Sequence, residues 1–106
     1  MKILTSQELK EKIESGETFM VDLFAEWCGP CRVMGPIIDK VSQKLEQDNS
    51  PVGVYKFDIE TDKQTAMDLG VRSIPTIKVF KNGKEEKTMV GVVSEQQLIA
   101  VAQELL

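Results

Sequence analysis

The chain has 106 residues, 42% apolar and 28% charged, a composition that suits one globular domain spanning 1–106 with a single core and excludes disorder or a fibrous repeat. Its net charge of −4 excludes the basic surface that non-specific nucleic-acid binding requires. No apolar run approaches the roughly 20 residues of a membrane span, so neither nucleic acid nor membrane is expected as a partner. Residues 1–8 turn polar too soon for a signal-peptide apolar region, so a cytoplasmic protein is expected unless a leader once preceded this sequence.

In chain order, a short strand is expected near 2–4. Thr5 and Glu8 have the spacing of a capping box and open a helix to about 15, with Leu9 and Ile13 on one face and Gly16 ending it. Residues 19–25 are nearly unbroken apolar sequence, the pattern of a strand buried on both faces. From about 30 to 47, Val33, Ile37, Val41 and Leu45 recur every fourth position with Met34 and Ile38 beside them, which predicts a long helix. Pro36 should kink that helix rather than stop it. A second buried strand over 52–59 completes a right-handed parallel βαβ unit.

A short helix over 63–69 follows, ended by Gly70. Strands over 76–81 and 84–89 flank Asn82-Gly83, a strong signal for a two-residue hairpin. Ser94 with Gln97 caps a last helix whose Leu98, Val101, Ala102 and Leu105 face the core. The predicted order β-α-β-α-β-α-β-β-α is that of an α/β protein with a mixed sheet between helices.

Cys28-Gly29-Pro30-Cys31 falls between the first long strand and the long helix, at the edge where open α/β sheets bind ligands. A structural staple is the bland alternative to redox chemistry. The chain-entropy account gives roughly 2 kcal/mol for so short a loop, against about 4.7 for one of 100 residues, so a stabilising bridge is better placed across a long loop. A helix N-terminus favours thiolate over thiol, and only the thiolate attacks a disulfide. Cys28 precedes the helix and should present the exposed, attacking sulfur. Cys31, one turn in, should be more buried and resolve the mixed disulfide. Pro30 fits the first helical turn, and Gly29 leaves the approach open.

Asp22 interrupts the apolar strand on the face of Met20 and Phe24. A buried carboxylate should have a raised pKa, which makes it a candidate acceptor for the Cys31 proton; a hydrogen-bonded structural aspartate is the alternative. Lys56 interrupts the next strand. It either neutralises Asp22 or extends to solvent, and the residues alone favour solvent. Trp27, at a strand–helix corner, is expected to be exposed as a flat contact for partners. Nothing local lifts Ile74-Pro75 above the low base rate of cis bonds. Glu60, Lys63 and Arg72 read as solvated charges.

Ala25-Glu26-Trp27-Cys28-Gly29-Pro30-Cys31 resembles the active-site segment of the thioredoxin family. The likeness extends over the chain through Val21-Asp22-Leu23-Phe24, Pro36, Arg72-Ser73-Ile74-Pro75-Thr76, Phe80-Lys81-Asn82-Gly83 and Val90-Gly91. It implies the thioredoxin fold, a central mixed five-stranded sheet flanked by four helices. It also implies a cis Pro75 facing the dithiol, backbone hydrogen bonds from Ile74 to an extended substrate, and a groove lined by Trp27, Gly29, Pro30, Ile74, Pro75 and Gly91. Asp22 and Lys56 fall on the family's buried acid and its neighbouring lysine.

With two cysteines and no histidine a zinc site would lack its second half, so no bound metal or organic cofactor is expected. By the same likeness electrons come from NADPH through a flavin-containing thioredoxin reductase. The implied acceptors are protein disulfides such as those of ribonucleotide reductase, peroxiredoxin and methionine sulfoxide reductase, with the chain acting as a monomer. Phe24 departs from the pattern, standing where many bacterial members carry a second tryptophan, and Val92 occupies a place often filled by a smaller residue. The expected activity is protein-disulfide reduction. A disulfide-forming or isomerising relative of the same fold, or a non-catalytic binding subunit, is the alternative.

Overall fold

The computed structural model describes residues 2–106. Its elements run β1 (Lys2–Ile3), α1 (Ser6–Glu14), β2 (Phe19–Phe24), α2 (Gly29–Gln47), β3 (Gly53–Asp58), α3 (Lys63–Asp68), β4 (Thr76–Lys81), β5 (Lys84–Val90) and α4 (Glu95–Glu104). The five strands form one sheet in the order β1-β3-β2-β4-β5. β1, β3 and β2 are parallel, whereas β4 runs antiparallel to β2 and to β5. The mixed sheet and four helices agree with the expected fold class.

β2 lies in the middle because every one of its first five residues has a buried surface to fill. Phe19, Val21 and Leu23 enter one core with Leu9, Phe57 and Phe80, where the Phe19 and Phe80 rings stack 5.1 Å apart. Met20 points the other way, into a second core of Met34, Ile38 and Val41 from α2, Ile77 and Val79 from β4, and Leu98 and Val101 from α4. The period-two alternation of a strand thus puts Asp22, like Met20, on the α2 side.

Local signals set most boundaries. Thr5 Oγ1 accepts the Glu8 N–H while Glu8 Oε1 accepts the Thr5 N–H, and Ser94 and Gln97 repeat the device for α4. Asn82 and Gly83 have φ of 54° and 80°, the left-handed pair that a two-residue hairpin of matching twist requires. A Cβ on Gly83 would also meet the Ile13 carbonyl at 2.9 Å. A bulge between Val79 and Phe80 shifts the register of β5. Lys78, buried in β4, places its ammonium 2.8 Å from Glu85 and 3.1 Å from Thr88, and that bond holds the Glu85 carboxyl below its usual range.

The structure corrects three sequence expectations. β1 ends at Ile3, although the Leu4 N–H still bonds to the Lys56 carbonyl. Val33 is 56% exposed, and the buried stripe of α2 is Cys31, Met34, Ile38, Val41 and Leu45. Steps of four drift around a helix of 3.6 residues per turn, and alternating steps of three and four hold the face. Leu105 lies beyond α4 but is buried nonetheless. α2 runs without a stop through Pro36.

Candidate active site

The apolar sequence of β2 ends at Phe24, and the chain turns there, with the Cys28 N–H bonding back to the Ala25 carbonyl. Cys28 is the N-cap of α2, in extended geometry, and its Sγ accepts the Cys31 N–H at 3.2 Å. A sulfur thus fills the place usually taken by a serine or aspartate oxygen, facing the positive end of a 19-residue helix. Pro30 fits the first turn, where its missing N–H leaves nothing unpaired. Gly29 has open space on its side-chain side. Cys28 and Cys31 are joined as a disulfide with Cα atoms 5.2 Å apart.

The cysteines differ less in exposure than the sequence implied. Both residues are 5% exposed, because Cys28 packs with Ala25 and Cys31 against Phe24, Ile59 and Ile74. Their surroundings do differ. Cys28 Sγ lies 3.7 Å from the Ile74 carbonyl oxygen, beside the cis Ile74–Pro75 bond. The Pro75 carbonyl accepts the Gly91 N–H at 2.9 Å, and Gly91 has a φ of 90°. The base-rate expectation of a trans Pro75 is therefore corrected, in favour of the geometry that the family resemblance implied.

Trp27 is 64% exposed, as expected at this corner, and its indole N–H donates to Glu60 Oε1 at 2.5 Å. That bond, aided by Lys63 3.3 Å away, holds the Glu60 carboxyl below its ordinary range. Glu60 and Lys63 read as solvated charges in the sequence. Both are indeed exposed, and Glu60 in addition holds the tryptophan, a contact 33 positions apart with no local signature.

Asp22 is 1% exposed, and its Oδ1 has no hydrogen-bond partner. Burial raises its pKa from 3.8 to about 6, with Lys56 opposing the shift and Asp39 adding to it. A cavity of about 280 Å³, lined among others by Asp22, Cys31, Arg32, Gly35 and Lys56, connects the carboxyl with the second cysteine. Its wall is mostly apolar, and Asp22, Glu26, Arg32 and Lys56 are the polar side chains that water in that volume would meet. Lys56 is the register partner of Asp22 across the parallel strands. The solvent-directed ammonium favoured by the residues alone is corrected: the Lys56 side chain is only 18% exposed, and Nζ lies 3.1 Å from Asp39 Oδ1.

A disulfide at a helix N-terminus, with a buried carboxyl on the same cavity as one of its sulfurs, has the makings of a centre for thiol–disulfide exchange. A sequence model of thioredoxin matches residues 1–104. The chain is similar to the thioredoxin of Rickettsia conorii, 40% identical over 97 residues that cover 92% of this chain and 90% of that one. It is likewise 34% identical to that of Malassezia sympodialis over 97% of both chains. The thioredoxin of Plasmodium falciparum superposes on it with a TM-score of 0.85, at 29% identity and full coverage of both. The chain belongs to the thioredoxin family and is a thiol–disulfide oxidoreductase whose substrates are disulfide-containing proteins. Members of this family need no bound cofactor. Among the described residues no helix is long and apolar enough to cross a membrane.

Proposed function

We propose that the chain is a cytoplasmic, monomeric, single-domain protein-disulfide reductase in which Cys28 attacks, Cys31 resolves and Asp22 takes the Cys31 proton. The observation that carries the assignment is the inequivalence of the sulfurs: Cys28 Sγ accepts the Cys31 N–H at the head of α2, whereas Cys31 shares the cavity with Asp22. In the reduced protein the Cys28 thiolate, stabilised by that N–H and the helix dipole, attacks one sulfur of a substrate disulfide. The substrate S–S bond breaks, and the departing sulfur takes a proton. Asp22, ionised at neutral pH, accepts the Cys31 proton, directly or through water in the cavity. The Cys31 thiolate then attacks Cys28 Sγ and expels the second substrate sulfur. From the Cys28 thiolate and Cys31 thiol the protein loses two electrons and the one Cys31 proton. The two expelled substrate sulfurs become thiols by taking that proton, released from Asp22, and one from water.

Trp27, Gly29, Pro30, Ile74, Pro75 and Gly91 form the contact surface for an extended substrate segment in this reading, with the Ile74 backbone pairing to it as an added strand. Lys56 tunes Asp22. Electrons return from NADPH through a flavin-containing thioredoxin reductase, and ribonucleotide reductase, peroxiredoxin and methionine sulfoxide reductase are acceptors. Insulin reduction under dithiothreitol tests the assignment. Cys28→Ser should abolish turnover, and Cys31→Ser should accumulate mixed disulfides through Cys28. Full activity of Cys28→Ser would refute it.

A further inference from the structure

Lys56 is the one cation that the sheet register places beside the buried Asp22, yet it spends its ion pair elsewhere. Its Nζ lies 3.1 Å from Asp39 Oδ1, a half-exposed carboxylate on α2, and no ion pair joins it to Asp22 among the described residues. Asp22 Oδ1 has no hydrogen-bond partner and no ion pair, whereas Asp39 Oδ1, also shielded from solvent and without a hydrogen bond, is held by the ammonium as an ion pair. A buried, unpartnered carboxyl next to an ammonium is an unstable arrangement unless something holds the ammonium away, because direct pairing would offset much of the desolvation cost.

The remaining neighbours do not supply the restraint. Arg32 lines the cavity but sends Nη2 to the Glu26 carbonyl at 3.2 Å. Glu26 is a second acid at the cavity wall, and β4 faces Asp22 with Ile77, which is apolar. Cys31, on the same cavity, is in the disulfide. Gly35, one turn before Asp39 on α2, lies against the ammonium, and a Cβ there would sit 3.7 Å from Nζ, at ordinary contact distance.

We propose that Asp39 is a positioning residue for the proton step: it draws the Lys56 ammonium off Asp22, so that the buried carboxyl stays free of a directly bonded cation and remains a base strong enough to take the Cys31 proton. The proposal rests on the reading of Asp22 as that proton's acceptor. Two carboxylates compete for one lysine, and the half-exposed Asp39 wins over the fully buried Asp22 because its ion pair carries the smaller desolvation cost. Removing Asp39 leaves Asp22 as the carboxylate that Lys56 can reach, and it also removes a negative charge from the neighbourhood. Both changes favour ionised Asp22.

The test is a carbon-13 NMR titration of the Asp22 carboxyl in the oxidised protein, where the cysteines do not titrate, alongside the pH dependence of mixed-disulfide resolution in the reduced protein. In Asp39→Asn the Asp22 midpoint should fall by about one pH unit, the lower end of the effect of an opposite charge brought within pairing distance. The lower limb of the resolution profile should move with it. Asp39→Glu should restore the parent midpoint, and in a Lys56→Met background Asp39→Asn should move it much less. An Asp22 midpoint that is unchanged or raised in Asp39→Asn overturns the proposal. If the midpoint falls but parent and Asp22→Asn resolve with the same pH profile, the coupling stands and the role of Asp22 in proton transfer fails.

Discussion

Replacing Asp22 by asparagine should stabilise the folded protein by an amount that depends on pH in a defined way. The native carboxyl titrates at about 6 rather than 3.8, so between those values the folded state binds more protons than the unfolded state. Stability contributed by this site is therefore highest below about pH 4 and is lost as pH rises toward and through 6. A difference of about two pH units at about 1.4 kcal/mol each puts the cost of ionised Asp22 near 3 kcal/mol at neutral pH. Asparagine keeps the shape and removes that cost. Urea unfolding of oxidised parent and Asp22→Asn at steps from pH 3.5 to 8 should give a difference that is flat at low pH, grows between 4 and 6, and levels off above. The absolute offset carries the cost of burying an amide, so the growth with pH is the quantity to compare. A difference that does not change with pH would refute the argument that burial, rather than a satisfied hydrogen bond, sets the state of this carboxyl.

Other perturbations test separate parts of the structure. Gly83→Ala should destabilise by about 1–3 kcal/mol in urea unfolding, since its φ of 80° and the Ile13 carbonyl 2.9 Å from the new Cβ both oppose a side chain. Glu85→Ala should cost about 2 kcal/mol by stranding the buried Lys78 ammonium with only Thr88, whereas Lys78→Met should be close to neutral by the same assay. Thr5→Ala and Ser94→Ala should each lower stability by about 1 kcal/mol through loss of a helix cap, with their effects additive because the caps share no partner. Glu60→Ala should leave the urea midpoint unchanged but free the indole by removing the acceptor of its N–H, read as faster acrylamide quenching of Trp27, the chain's one tryptophan.

Features written in short stretches were legible from the sequence. The apolar run of β2, the two capping boxes, the Asn82-Gly83 turn and the dithiol at the head of α2 each depend on neighbours within a few positions. Asp22 stood out because a charge inside a buried strand is anomalous wherever the rest of the chain goes. The partnerships of Lys56 with Asp39 and of Glu60 with Trp27 were not legible, because residues 17 and 33 positions apart meet only once the sheet has formed. The burial of Cys28 escaped the same reasoning. Its cover comes from Ile59 and Ile74, on loops that follow β3 and precede β4. Helix position ranked the two sulfurs by accessibility, and the tertiary fold ranks them instead by which one shares a cavity with the acid.

The strand order has a consequence for how the molecule behaves among its own copies. One edge of the sheet is β1, two residues long, too short to template a partner strand. The other is β5, whose exposed run Lys84-Glu85-Glu86-Lys87 is charged at every position and is broken in register by the bulge opposite Val79 and Phe80. Short, charged and bulged edges are the devices by which sheets resist adding strands end over end. A protein whose substrates are disulfide-bearing proteins is thus guarded along both flanks against polymerising through its own sheet.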